Sequence, residues 1–153
     1  MAGALRLFQT GDEKAVTALI FSVLDEYGLE PAPKTTDRDL ADIGGFYEDG
    51  VFAVLADDET NEITGTVGLK PIGENVVELR KMYLKKNMRG RGHGRKLLKF
   101  AIEQARQLGA VRIELETAQV LEEAMGLYEA FGFVAVTRDD MEKRCDRVLA
   151  LNL

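Results

Sequence analysis

Between Val51 and Leu84 three apolar runs follow one another with only short polar turns between them, and this succession constrains the fold more than any other feature. Val51–Leu55, Ile63–Leu69 and Val76–Leu84 read as strands, separated by a polar turn around Asp57–Asn61 and by Gly73–Asn75. A parallel crossover needs about a dozen residues, so runs this close predict an antiparallel meander. The period then changes from two to 3.6. Leu97, Leu98, Ala101, Ile102, Ala105 and Leu108 share one helical face, which Gly109 ends. Val111–Leu115 reads as a strand, Leu121–Phe131 as a helix, and Phe133–Val136 and Arg147–Leu151 as closing strands. Upstream, Leu5–Phe8 reads as an opening strand, and Thr10 and Glu13 have the spacing of a capping box for a helix carrying Val16, Leu19, Ile20, Val23 and Leu24. Thr36 is expected to cap a second helix carrying Leu40, Ile43 and Tyr47. The expectation is an α/β fold, a mixed sheet with flanking helices, in one domain over residues 1–153.

Composition narrows the function. Charged residues make up 30% and apolar residues 46%, a globular balance rather than a disordered one. One cysteine, Cys145, and one histidine, His93, argue against a disulfide framework and against a metal centre. Cys145 is read as a small buried residue without a role. No apolar run approaches a membrane span and Met1–Leu7 lacks the form of a signal peptide, so a cytoplasmic protein is expected. Net charge is −6, yet the nine bases between Arg80 and Lys99 have no acid among them, which leaves −15 for the remainder. A cationic island in an acidic chain fits a small polyanion; it does not fit a surface that coats nucleic acid.

The island contains Arg89-Gly90-Arg91-Gly92-His93-Gly94-Arg95, set between a strand and an amphipathic helix. Alternate glycines let backbone N–H groups approach an anion, and the helix N-terminus adds unpaired donors. Arg89, Arg91, Arg95 and Lys96 can add charge-assisted hydrogen bonds to phosphate oxygens. The bland alternative is a glycine turn on a solvated basic face. A dinucleotide fingerprint fails, because the required third glycine is Arg95 or Leu97, and no Gly-Lys-Ser/Thr triplet exists for a nucleotide-triphosphate loop. What remains is Arg-x-x-Gly-x-Gly, met by Arg89, Gly92 and Gly94.

Taken with Glu78–Leu84 and with Ala124-Met-Gly-Leu-Tyr128-Glu-Ala-Phe-Gly132-Phe133, this turn resembles the GCN5-related N-acetyltransferase (GNAT) superfamily. The resemblance implies a mostly antiparallel mixed sheet of seven strands, splayed between the fourth and fifth, with acetyl-coenzyme A in the opening. By position, the backbone of Met82, Tyr83 and Leu84 would pair with the pantetheine arm like an added strand. Gly90 to Arg95 would cradle the pyrophosphate, and a β-bulge near Met82 would turn an N–H toward the thioester oxygen. His93 stands where the family usually has an apolar residue and is read as packing or a spare phosphate contact.

The resemblance also implies direct attack by a primary amine, of a small molecule or a peptide, in a ternary complex. Tyr128 would be the general acid for the leaving thiolate, although its place in an apolar helical stripe equally fits a core tyrosine. Glu78, eleven residues before Arg89, and Glu116, twelve before Tyr128, are the candidate bases, with Glu78 placed first. Many members carry an asparagine seven residues before the tyrosine, where this chain has Leu121. The acids between Asp25 and Asp49 raise a cationic acceptor, against the simpler account of a solvated face. A homodimer is compatible with the sequence. The rival reading is a non-catalytic acyl-coenzyme A module of the same fold.

Overall fold

The computed structural model describes residues 3–118, 120–137 and 147–153, so Cys145 lies outside the described residues. Seven strands form one sheet: β1 (Gly3–Leu7), β2 (Val51–Asp57), β3 (Ile63–Gly73), β4 (Val76–Leu84), β5 (Arg112–Thr117), β6 (Val134–Val136) and β7 (Arg147–Asn152). Their order across the sheet is β1-β2-β3-β4-β5-β7-β6. The meander expected over β2–β4 is antiparallel, and only β4 and β5 run parallel. Helices α1 (Glu13–Glu26), α2 (Ile43–Phe46), α3 (His93–Gln107) and α4 (Glu122–Ala130) flank the sheet. None of the described helices is long and apolar enough to cross a membrane.

Strand alternation divides the core into two. Ala53 and Leu55 of β2 pack with Leu97, Leu98, Ala101 and Ala105 of α3 and Tyr128 of α4. Phe52 and Val54 pack on the other face with Val16, Ile20 and Leu24 of α1 and Ile43 and Tyr47. Two local expectations change. The helix α1 begins one residue after Asp12, with no capping side chain. The Glu13 carboxylate instead accepts from Gly11 N at 2.6 Å, while Asp12 is held by Arg6 at 2.8 Å. The helix expected after Thr36 is a 3₁₀ turn over Arg38–Ala41 followed by the short α2, whose cap is Asp42, accepting from Gly45 N at 3.1 Å. Gly44 and Gly45 sit where a longer helix would need helix formers.

Two features of the sheet position the site. First, β4 and β5 pair only over Val76–Glu78 and Arg112–Glu114, after which the strands part. Second, β4 carries a bulge. Thr66 faces Tyr83 and Gly68 faces Arg80, so two residues of β4, Lys81 and Met82, oppose Val67 alone. Lys81 has φ +52°, a left-handed conformation costly for a side chain of its size, and Thr66 Oγ1 donates to its carbonyl at 2.7 Å. The extra residue reverses the alternation. Val77 and Leu79 face the α3 side before the bulge, and Met82 and Leu84 face it afterwards.

Candidate functional site

Beyond Glu78 the parted strands open a continuous cleft in two parts. The wider, of about 260 Å³, is a groove lined by Met82, Tyr83 and Leu84, by Arg89, Gly90, Gly92, Gly94 and Arg95, and by Leu121, Ala124 and Leu127 among others. The narrower, of about 70 Å³, is lined by Glu78, Arg80, Lys81, Glu116, Thr36 and Tyr128 among others. Met82, Tyr83, Leu121 and Ala124 line both, so the parts meet at the bulge.

Three glycines, Gly90, Gly92 and Gly94, stand in the lining of the groove. Gly90 and Gly92 have φ +75° and +84°, and a Cβ on either would meet no protein atom within 4 Å, so conformation rather than crowding requires glycine there. Gly92 is the N-cap of α3 with no capping side chain, so no side-chain cap covers the first N–H groups of that helix, whose start at Gly92, Gly94 and Arg95 lines the groove. Gly94 serves packing instead: a Cβ there would come within 3.3 Å of Leu127 Cδ2.

The bases of the island do not act together. Arg95 lines the groove with its guanidinium 5.1 Å from the Phe131 ring centroid. Arg91 and His93 belong to the turn without lining the groove, and burial with Lys96 and Arg91 nearby lowers the His93 pKa. Arg89 is engaged with the protein itself: it pairs with Glu26, donates to Tyr27 Oη at 3.0 Å, and grips the Leu84 carbonyl at 3.0 and 3.1 Å. Lys96 Nζ donates to the Gly3 carbonyl at 3.0 Å. Arg80 and Lys81 are withdrawn altogether into ion pairs on the opposite side of the strand, so the single patch expected over Arg80–Lys99 is a correction. Sequence proximity hid the fact that the bulge turns these two away from the glycine turn.

The narrow cavity is built from side chains. Tyr128 is buried against Phe133, with ring centroids 5.6 Å apart, and its pKa is raised well above the usual tyrosine value, by burial first and by Tyr83 second. Its hydroxyl is therefore a proton donor throughout the neutral range. Glu78 is mostly buried and accepts from Arg80 Nη1 at 2.7 Å. Glu116 lies further along β5 on the face opposite Ile113 and Leu115. Sequence reading missed Asp37 and Asp39, which are not a solvated face. Both are buried and paired with Lys81, at 3.3 and 3.1 Å. No local pattern marks them. Among the described residues no cluster of three or more His, Cys, Asp or Glu is disposed to hold a metal.

The family model described as "Acetyltransferase (GNAT) family" matches residues 17–133, most of the chain and the whole of this cleft. The chain belongs to the acetyltransferase (GNAT) family. Its homologues are named as N-acetyltransferases, and as a GNAT member it is an acyltransferase. An uncharacterized N-acetyltransferase of Escherichia coli K12, YjgM, is 34% identical over 134 residues, covering 84% of this chain and 80% of that protein. A GNAT-family acetyltransferase from Staphylococcus aureus Mu50 has the same fold, with a TM-score of 0.91, 23% identity, and 99% of each chain covered. The acetyltransferase yncA from Salmonella typhimurium, whose structure contains acetyl-CoA, shares the fold at a TM-score of 0.76 with 18% identity, covering 99% of this chain and 94% of that one. This GNAT chain keeps the seven-stranded sheet, its one parallel pair and the opening beyond it.

Proposed function

We propose that this GNAT enzyme transfers an acetyl group from acetyl-CoA to a primary amine by direct attack in a ternary complex. The observation that carries the reading is the meeting of the two parts of the cleft at the bulge, with Tyr128 beside the junction. In this reading the groove takes the coenzyme. Met82, Tyr83 and Leu84 lie beyond the residues of β4 that pair with β5, and this edge of the strand offers its backbone to the pantetheine arm. Gly90, Gly92 and Gly94 with the N-terminus of α3 receive the pyrophosphate, and Arg91 and Arg95 supply charge. Arg89 holds the turn to Leu84 and Glu26 and so shapes the cradle.

The acceptor amine, of a small molecule or a peptide, enters the narrow cavity. Glu78 or Glu116 takes its ammonium proton, directly or through water, and the freed nitrogen forms the C–N bond at the thioester carbon. The bulge backbone near Met82 donates to the developing oxyanion. As the C–S bond breaks, Tyr128 protonates the thiolate and is reprotonated by the proton that the acetylated nitrogen sheds, leaving free coenzyme A thiol and the neutral amide. The geometry favours no covalent acyl-enzyme route: among the described residues no Ser–His or Cys–His pair lines either cavity.

A thiol-release assay with acetyl-CoA across amines, amino acids and peptides, beside calorimetry of acetyl-CoA binding, tests the reading. Amine-dependent thiol release with a measurable heat of binding is expected. Binding without release would make the chain an acyl-CoA module, and neither would remove the cleft assignment.

A further inference from the structure

Lys81 is an unexpected residue to find in a bulge. It adopts a left-handed φ, its side chain is 3% exposed, and burial lowers its pKa against the opposing pull of Asp39 and Asp37. Lys81 Nζ donates one hydrogen bond, to the Thr36 carbonyl at 2.9 Å, and forms ion pairs with Asp39 Oδ1 at 3.1 Å and Asp37 Oδ1 at 3.3 Å. Every partner comes from the loop between α1 and α2. Arg80 faces the same way as Lys81 because the bulge places consecutive residues on one side of the strand. It donates to the same Thr36 carbonyl at 2.8 Å and holds Glu78 at 2.7 Å. Asp39 is fixed in turn by Tyr47 Oη, which donates to it at 2.6 Å, and Asp37 Oδ2 by Ala32 N at 2.7 Å.

We propose that Lys81, with Asp37 and Asp39, is a buried ionic clasp that fastens the loop over residues 29–42 to the catalytic strand, and thereby positions the acceptor half of the cleft alone. Lys81 is a positioning residue here, acting through Thr36 and through its neighbour Arg80 on Glu78. Leu29 and Thr36 of the loop line the narrow cavity and not the groove, so the clasp is separable from coenzyme binding. The inference rests on assigning the acceptor to that cavity.

Removing Lys81 alone would take the ammonium from between two buried carboxylates and endanger folding. The test is therefore the double variant Lys81→Met/Asp39→Asn, which removes one charge of each sign. Its KM for the best amine should rise by about tenfold to a hundredfold, as loss of substrate positioning does, while its Kd for acetyl-CoA stays within about twofold. Amide hydrogen exchange over residues 29–42 should quicken with that of α3 unchanged. The single variant Asp37→Asn should show the same pattern in smaller measure. Equal change in amine KM and acetyl-CoA Kd, or an unchanged KM with faster exchange in the loop, would overturn the clasp. A wild-type protein that binds no acetyl-CoA in the same calorimeter would instead remove the reading of the cleft beneath it.

Discussion

The two ends of the cleft are made of different material. The groove takes much of its lining from one stretch, Met82 to Arg95, with three glycines in it, and the rest from Val23, Tyr27 and Leu97 and from α4 and its N-cap. The acceptor cavity is lined by side chains from four separate places: the 29–36 loop, β4, β5 and α4. On its loop side Asp37 and Asp39 are paired with Lys81, and Arg80 donates to the Thr36 carbonyl. A cosubstrate common to a whole family can be held by main chain that tolerates much sequence change. An acceptor that differs from member to member is met by side chains, and their arrangement depends on tertiary contacts.

The strongest way to break this division is at Tyr128, on the border between the ends. Tyr128→Phe removes the proton donor without altering the groove's backbone. The variant should lose kcat by about 10²–10⁴-fold, the usual worth of a general acid, with acetyl-CoA affinity nearly intact. The direction of its pKa shift adds a pH signature. A phenol raised by burial stays protonated beyond the ordinary tyrosine value near ~10, so wild-type kcat/KM should climb as the amine deprotonates and show no alkaline fall before about pH 10. A decline beginning near neutrality would assign the acid to another group.

The next effect concerns the fabric of the acceptor side. Gly68 faces Arg80 across the bulge, and a Cβ on it would lie 2.8 Å from Tyr47 Cε1 and 3.0 Å from Phe52 Cδ2. Tyr47 is the ring that steadies Asp39. Gly68→Ala should cost about 1–3 kcal/mol of stability through overpacking, read as a lowered midpoint in urea, and should raise amine KM more than acetyl-CoA Kd. The mirror experiment is Gly92→Ala. Placing a side chain at φ +84° costs about 1–2 kcal/mol, and acetyl-CoA affinity should fall by about tenfold with amine KM unmoved. Unchanged affinity would take the pyrophosphate away from the turn.

The same division explains what was legible in the sequence. Strand and helix positions follow hydrophobic period, and Val76–Leu84 is bounded as expected. The glycine turn was readable because its conformation depends on residue types that are adjacent in the chain, Gly90 and Gly92 taking the left-handed φ that glycine allows. The clasp was not readable. Asp37 and Asp39 look like any exposed acids until the loop folds onto β4 some forty residues later. Arg80 and Lys81 look like members of the basic island until a one-residue bulge reverses the strand's alternation. The Thr10 cap failed for a smaller reason of the same kind: Arg6 of β1 reaches Asp12 and fixes the helix start there. Local pattern carries what local chemistry decides, and long-range ion pairs lie outside it.

Leu121 tests the smallest difference, because it borders both ends of the cleft at once. It is also the N-cap of α4, with φ −80° and ψ 65° and no capping hydrogen bond from its side chain. Leu121→Asn would change two things: an amide would cap the helix, worth about 1 kcal/mol, and its remaining groups would face the pantetheine path. Leu121→Ser supplies the cap without the reach. Both variants should therefore unfold at higher temperature than wild type. Only the asparagine should tighten acetyl-CoA, by the few-fold expected from one net hydrogen bond of about 0.5–1.5 kcal/mol. Equal affinities for the two would mean that the coenzyme is held at this point by backbone and apolar contact alone. The groove would then need no polar side chain from α4, which is the stronger form of the contrast between its two ends.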